Sequence, residues 1–294
     1  MRAGMKYGLA FASSVGIEGH AALEICRLAE QLGFESVWGG EHVVLPTVIE
    51  SAYPYTADGK IPALPDTPIP DPLIWLAFVA AAAPTLRLGT CILIVPQRNP
   101  LVLAKEIATL DRLSNGRVEL GIGVGWMREE FDALNIPWDR RGARNDEYIA
   151  AMRALWAGPH AEFHGEFVDF PPVTCSPRPV QSSIPILVGG DTPTALRRAA
   201  RIADGYFPGE GNPAKLGTLI ADLRVVTEQH GRDPDEIEIN AMFGMPTGDP
   251  LKRAEQLHAL GVGRIMVPAF SFAGPAGLQR LSDFAERVIP AVGP

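Results

Sequence analysis

Glu41 and His42 stand side by side where a short apolar segment, Ser36-Val37-Trp38, runs out through Gly39-Gly40. Histidine gives or takes a proton near neutral pH without a large shift, so His42 is a candidate general acid or base, with Glu41 adjacent to hold or tune it. The alternative is an ordinary loop histidine, and its position in the fold decides between the two. A second candidate is the run Arg117-Val118-Glu119-Leu120-Gly121-Ile122-Gly123-Val124-Gly125-Trp126, in which glycines recur at every second position where a β-rich segment ends. Bare backbone of this kind either admits a closely approaching ligand or lets the chain leave a crowded sheet. Its G-x-G-x-G spacing departs from the G-x-G-x-x-G of dinucleotide-binding turns, and Arg140 and Arg141 stand about 20 residues on, where that fold needs an acid.

Two further groups concern anions. Gly189-Gly190-Asp191-Thr192-Pro193 follows a strand and opens a helix, which either presents free N–H groups to a phosphate or forms a plain turn capped by Thr192. Asp191 would repel a phosphate unless it points away. Arg140, Arg141 and Arg144 cluster ahead of a helix and serve either as an anion site or, as such clusters more often do, as a solvated or salt-bridged face.

The elements that must position these residues alternate strand with helix. A strand over 5–11, a helix over 18–33 closed by Gly33, and a strand over 36–38 make a βαβ start with parallel neighbours. A long aperiodic loop follows, holding Pro46, Pro54, Pro62, Pro65, Pro68, Pro70 and Pro72; a loop of this length is usually a lid or pocket wall, with Tyr53, Tyr55 and Asp58 as lining candidates. A helix over 72–83 starts from an Asp71 cap, and 87–95 reads as one near-continuous apolar strand with both faces covered. Asn99 caps the next helix, Asn115-Gly116 ends it, and the glycine strand comes next.

A helix over 143–156, with a Tyr148, Ile149, Met152, Leu155, Trp156 stripe, and a hairpin over 162–170 interrupt the alternation. It resumes with strands at 185–188, 205–207, 236–241 and 264–267, each followed by a helix. Eight strand–helix pairs in 294 residues close most simply into a (β/α)8 TIM barrel, a single domain over 1–294 with insertions at about 42–71 and 126–183, after strands 2 and 4. The functional end of such a barrel is the C-terminal end of its strands, where Glu41, His42 and both glycine groups fall.

Composition narrows the class. With 47% apolar residues the chain can bury one large core, and a net charge of −8 without a basic run argues against a nucleic-acid surface. Cys26, Cys91 and Cys175 lie far apart, which suggests neither a disulfide framework nor a zinc site, and His160 and His164 lack metal-ligand spacing. Without signal-peptide character or a membrane-length apolar run, a cytoplasmic protein acting on a small molecule is expected, with no membrane partner.

Taken together, Trp38-Gly39-Gly40-Glu41-His42, the segment Leu88-Gly89-Thr90-Cys91 through Arg98-Asn99-Pro100, the helix end Leu110-Asp111-Arg112-Leu113-Ser114-Asn115-Gly116-Arg117, and Gly121 to Trp126 followed by Glu129-Glu130-Phe131 resemble the luciferase-like monooxygenase superfamily. More narrowly, they resemble its branch that uses the deazaflavin coenzyme F420. The likeness spans essentially the whole chain. It implies a TIM barrel binding a flavin or deazaflavin at its C-terminal mouth, usually as a homodimer. It implies a non-prolyl cis peptide at Cys91-Ile92, in a third-strand bulge that supports the ring beside Thr90. It further implies His42 as proton donor or acceptor paired with Glu41, and coenzyme contacts at Gly121, Gly123, Gly125, Trp126, Gly189 and Gly190. Deazaflavin relatives often carry Asp where this chain has Glu41, while flavin-using luciferases carry Glu-His, so F420 and FMN both stay open. So do three activities: hydride transfer with F420, an FMN-dependent monooxygenation using oxygen, and binding without turnover.

Overall fold

A computed structural model describes residues 4–63, 66–244 and 248–292, so Pro65 of the long loop lies outside the described residues. The strands in chain order are β1 (Lys6–Ala10), β2 (Ser36–Gly39), β3 (Arg87–Thr90), β4 (Leu93–Ile94), β5 (Val118–Gly123), β6 (Ala161–His164), β7 (Asp169–Val173), β8 (Ile186–Gly189), β9 (Gly205–Phe207), β10 (Glu238–Met242) and β11 (Arg264–Pro268). β6 and β7 form the antiparallel hairpin of the second insertion; the others pair in parallel in the order β3-β2-β1-β11-β10-β9-β8-β5-β4. A further β3–β5 pairing closes the ring, with Leu88 opposite Val118. Among the described residues this is a closed barrel of eight staves, the third made of β3 and β4 together, wrapped by helices as a (β/α)8 fold.

A repeated local device starts the surrounding helices. Asp71-Pro72, Asn99-Pro100, Thr192-Pro193, Asn212-Pro213 and Asp249-Pro250 each pair a side chain that caps the first-turn N–H groups with a proline whose fixed φ suits the first helical position. These starts fall at or beyond the C-terminal ends of the strands, which fixes the βα loops on one rim. Among the described residues no helix is long and apolar enough to cross a membrane.

Side chains alternate between the helix layer and the barrel interior. The large core, with Leu9, Val37, Leu88, Leu120, Ile186 and Ile265, lies between strands and helices. A smaller cluster of Ala10, Trp38, Cys91, Leu187, Phe207 and Met266 fills the interior. Trp38, fully buried, is its plug: a Cβ on Gly89 would run into the indole, so the bare backbone there exists for Trp38.

Two expectations shift. The apolar run over 87–95 is interrupted at Cys91-Ile92, and the helix expected over 72–83 ends at Val79. Short helices at Ala12–Val15 and Arg128–Ala133 add to those the periodicity suggested. The long loop has neither strand nor helix among its described residues, and it is fastened by Glu129, whose Oε1 accepts the Glu50 and Ser51 N–H groups at 2.8 and 2.9 Å.

Candidate active site

The third stave breaks where the site begins. The Cys91–Ile92 peptide is cis, at the position the family resemblance implied. Cys91 N–H donates to Gly39 O at 2.7 Å and Thr90 Oγ1 donates to Gly121 O at 2.7 Å, tying the break to both neighbouring strands. Burial pushes the Cys91 thiol up to about 12, so it stays protonated and inert. Ile92 is left partly exposed, against the ends of β5 and β8.

This packing gives the glycines a cause inside the protein. A Cβ on Gly121 would collide with the Thr90 carbonyl, and one on Gly123 with Ile92 Cδ1. The close approach read from the sequence is therefore made, at these two positions, by the neighbouring strand. Gly189 also lies against Ile92, its missing Cβ position 3.2 Å from Cδ1. The three glycines together seat Ile92 as an apolar floor.

His42 is held by a carboxylate that the sequence reading did not choose. Its Nδ1 lies 3.0 Å from Oε2 of Glu130, in the first turn of the helix Arg128–Ala133. Glu130 Oε1 accepts the Val43 N–H at 2.7 Å and the Val44 N–H at 3.4 Å. The Glu130 side chain is 2% exposed. An ionised carboxylate only accepts, so with Glu130 in that form Nδ1 is the donor of the pair, and in a neutral imidazole the lone pair then falls on Nε2.

Glu41 is committed elsewhere. Its Oε2 accepts the Ile94 N–H at 2.5 Å, and its Oε1 takes the Arg98 guanidinium, with Nε at 2.9 Å. Arg98 also donates to Asp71 at 2.6 Å. Burial raises the Glu41 carboxyl against the opposing pull of Arg98 and the Ile94 N–H. The expectation that Glu41 holds His42 is thus corrected: Glu41 pins β4 behind the break, and Glu130 holds the histidine.

An aromatic wall stands beside His42. Trp126 meets the imidazole edge-on at 6.1 Å between ring centroids, Tyr53 meets Trp126 at 5.0 Å, and Tyr55 meets Tyr53 at 5.4 Å. Tyr55 packs where a Cβ on Gly209 would be, so the loop crosses the rim from β2 toward the turns after β8 and β9. Asp58, the third lining candidate, is exposed and caps the Lys60 N–H at 3.1 Å.

At the Gly189-Gly190 turn, Gly190 takes φ +105° and its carbonyl accepts from Tyr206 Oη at 3.0 Å. Thr192 caps Ala195 N–H at 3.2 Å. Asp191 Oδ1 accepts the Gly209 N–H at 2.8 Å, so this carboxylate, raised by burial, is turned toward the next loop. The three arginines separate. Arg140 pairs with Glu166, and buried Arg144 donates to the carbonyls of Pro137 at 2.7 Å and Asp139 at 3.2 Å. Arg141 lies over the Trp138 ring, 3.5 Å from its centroid, and its Nε donates to Gly125 O at 3.1 Å.

The profile of the luciferase-like monooxygenases matches residues 5–281. The chain belongs to the luciferase-like monooxygenase family. Its activity is accordingly that of an oxidoreductase of the F420- or flavin-dependent kind. An uncharacterised protein of Mycobacterium tuberculosis is 37% identical over 280 residues, covering 92% of this chain and 95% of that protein. An F420-dependent glucose-6-phosphate dehydrogenase of Nakamurella multipartita is 33% identical over 268 residues, covering 88% of this chain and 74% of that enzyme. An FMNH2-dependent dimethylsulfone monooxygenase of Pseudomonas putida is 32% identical over 155 residues, covering 51% of this chain and 42% of that enzyme. Among solved structures, a monooxygenase from Streptomyces bottropensis superposes with a TM-score of 0.76 at 25% identity, covering 97% and 99% of the two chains. The F420-dependent tetrahydromethanopterin reductase of Methanopyrus kandleri shares the fold, with a TM-score of 0.76 at 18% identity over 99% of this chain and 100% of that one.

Proposed function

We propose that the protein is an F420-dependent oxidoreductase that moves a hydride between the deazaflavin ring and a small organic substrate, with His42 taking or giving the coupled proton. The observation that carries this reading is the His42–Glu130 pair, which fixes the ring with Nε2 available at the C-terminal rim. The residues at the rim suit a flat ring with an anionic tail. Ile92 and Trp126 offer apolar surface, while the turn at Gly190 and the Arg141 side chain offer N–H donors. When bound, the coenzyme supplies the hydride chemistry; this chain supplies position, exclusion of water beneath the Tyr53–Tyr55 loop, and a proton path at Nε2. The relationship to the Nakamurella enzyme favours F420. The relationship to the Pseudomonas enzyme supports a second reading, an FMN-dependent monooxygenase using oxygen. A reducing cytoplasm suits the three buried, free cysteines, and a homodimer suits an apolar outer helix face.

Titration of the purified protein with F420 and, separately, with FMN tests the assignment. Binding of the deazaflavin in the micromolar range, with no oxygen consumed, is the expected result. Binding of FMN alone, with oxygen uptake, transfers the assignment to the monooxygenase. Coenzyme binding with no turnover on any hydride donor or acceptor leaves a binding protein. His42→Asn is expected to lower kcat on the order of 10²-fold or more while coenzyme affinity is retained; unchanged turnover removes His42 from the reaction.

A further inference from the structure

Toward the rim, the barrel interior ends in three partly exposed apolar side chains, Phe11, Ile92 and Met242, which pack on the interior cluster around Trp38. They stand at the C-terminal ends of β1, the third stave and β10, inside the ring of strands, so the surface each leaves uncovered faces the mouth. Ile92 lies toward β5 and β8, against Gly123 and Gly189. Phe11 and Met242 take the other arc, over β1 and β10.

Phe11 is held in an unusual backbone state. It takes φ +55° and ψ +30°, the left-handed region that a bulky residue rarely adopts. Its ring is seated on two sides. A Cβ on Gly40 would come within 3.0 Å of Phe11 Cδ1, and Phe270, 45% exposed just after β11, meets the ring at 5.6 Å between centroids. Gly40 is therefore bare for Phe11, and the aromatic pair starts beside the strand end that carries His42.

The same arc keeps its charges away from a ligand. In the segments 11–18, 208–215, 243–253 and 269–280, which follow β1, β9, β10 and β11, Arg253 is the only lysine or arginine among the described residues that is not exposed. It is spent on backbone, its Nε donating to Phe243 O at 3.3 Å and its Nη2 to Gly211 O. Glu210 accepts the Asn212 N–H at 2.6 Å, and Asp249 caps the Leu251 N–H at 3.1 Å and pairs with Arg287 at 2.8 Å. An ionic group brought down onto Phe11 would give up its water and gain no partner.

We infer that the substrate is an uncharged, apolar molecule whose body lies on Phe11, Phe270 and Met242 with its reacting carbon turned toward Nε2 of His42, and that Phe11 sets this preference. The inference rests on the coenzyme reading above and adds the substrate class to it. Aromatic faces and a thioether receive hydrocarbon in many orientations, so the site selects by charge and bulk rather than by a pattern of hydrogen bonds.

Benzaldehyde and its 4-carboxylate and 4-trimethylammonium analogues share a reacting group and differ in charge, and they test this by calorimetric titration into the complex of the protein with oxidised F420, which has no hydride to give. Wild type is expected to bind benzaldehyde about tenfold or more tighter than either analogue. Phe11→Gly keeps the left-handed backbone while removing the ring, and is expected to weaken benzaldehyde about fivefold or more and leave F420 within about twofold. Phe270→Ala, at an exposed ring, is expected to act in the same direction by a smaller factor, and it decides alone if Phe11→Gly does not fold. A charged analogue that binds as well as benzaldehyde, no binding of benzaldehyde, or variants that bind it like wild type would overturn the inference. So would a Phe11→Gly protein that loses F420 as much as benzaldehyde, since Phe11 would then belong to the coenzyme's seat. A wild type that binds no F420 refutes the coenzyme reading instead, and the three probes are then titrated into the protein alone. A tenfold preference for benzaldehyde that Phe11→Gly abolishes upholds the apolar site, and any other result overturns it.

Discussion

At the scale of single residues, the site turns on which carboxylate reaches His42. Adjacent residues of an extended segment point to opposite sides, so Glu41 goes back to Ile94 and Arg98 while His42 goes forward to the rim. That divergence is the physical reason the neighbouring acid was the wrong choice. Glu130 lies 88 residues away, and its pairing is a product of barrel closure that no local spacing announces. The only trace in the sequence is an acidic pair just after the glycine strand. Glu130→Gln keeps an oxygen for the Val43 N–H but replaces the acceptor on Nδ1 with a donor, which reverses the favoured tautomer. The expected outcome is a fall in kcat on the order of 10²-fold, a displaced pH–rate profile and coenzyme affinity within about twofold of wild type. Stopped-flow kinetics across pH check this, and an unmoved profile would leave Glu130 as a loop anchor only.

At the scale of elements, the eight staves were legible because short apolar runs alternate with helices opened by a cap and a proline. What stayed hidden were the places where packing overrides pattern. The run over 87–95 is nearly continuous in apolar residues beyond Thr90, so its pattern did not mark the break at Cys91-Ile92, which only the family resemblance placed. The barrel floor was equally silent, since Glu119 and Arg264 each sit within strands recognised by their apolar neighbours. Arg264, 1% exposed on its side chain, joins β11 to Glu119 of β5 at 2.7 Å, to Asn240 of β10 at 3.0 Å, and to Glu35 ahead of β2 at 3.1 Å. Arg87 of β3 grips Glu119 as well. Burial alone would raise Glu119, but Arg264 and Arg87 outweigh it and hold the carboxyl below its ordinary range. A depressed carboxyl stabilises the fold above the unfolded value of about 4.3, and that contribution is lost as pH falls through the folded value. Arg264→Met strands the Glu119 charge and is expected to cost about 3–5 kcal/mol at pH 7.5. Glu119 then titrates upward in the variant, so the gap to wild type narrows as pH is lowered toward 5. Denaturant unfolding at the two pH values measures this, and a gap independent of pH would show that the buried charge is not what the variant loses.

At the scale of the whole molecule, one outer face is out of keeping with an acidic surface. The helix Pro72–Val79 has no charged residue; Leu73, Trp75, Leu76 and Val79 face the core, while Ile74 and Phe78, one turn apart, are 74% and 52% exposed. Val102, on the helix Pro100–Leu113 that packs beside it, is 55% exposed as well. An isologous two-fold contact would cover such a stripe with its own copy and leave no open edge. The same helix is wired to the site. Asp71 caps its first turn through Oδ1 and receives Arg98 through Oδ2, and Arg98 grips the Glu41 that pins the third stave. A partner that steadies this helix therefore steadies the break beneath the proposed coenzyme ring. Ile74→Asp with Phe78→Asp places two charges on an exposed face, where substitution costs a monomer little. Wild type is expected to sediment as a dimer and the double variant as a folded monomer, with F420 affinity lowered several-fold in the monomer because the Asp71–Arg98–Glu41 chain is less firmly held. A double variant that still dimerises would move the interface elsewhere, and a monomer with undiminished affinity would cut the link between this helix and the site.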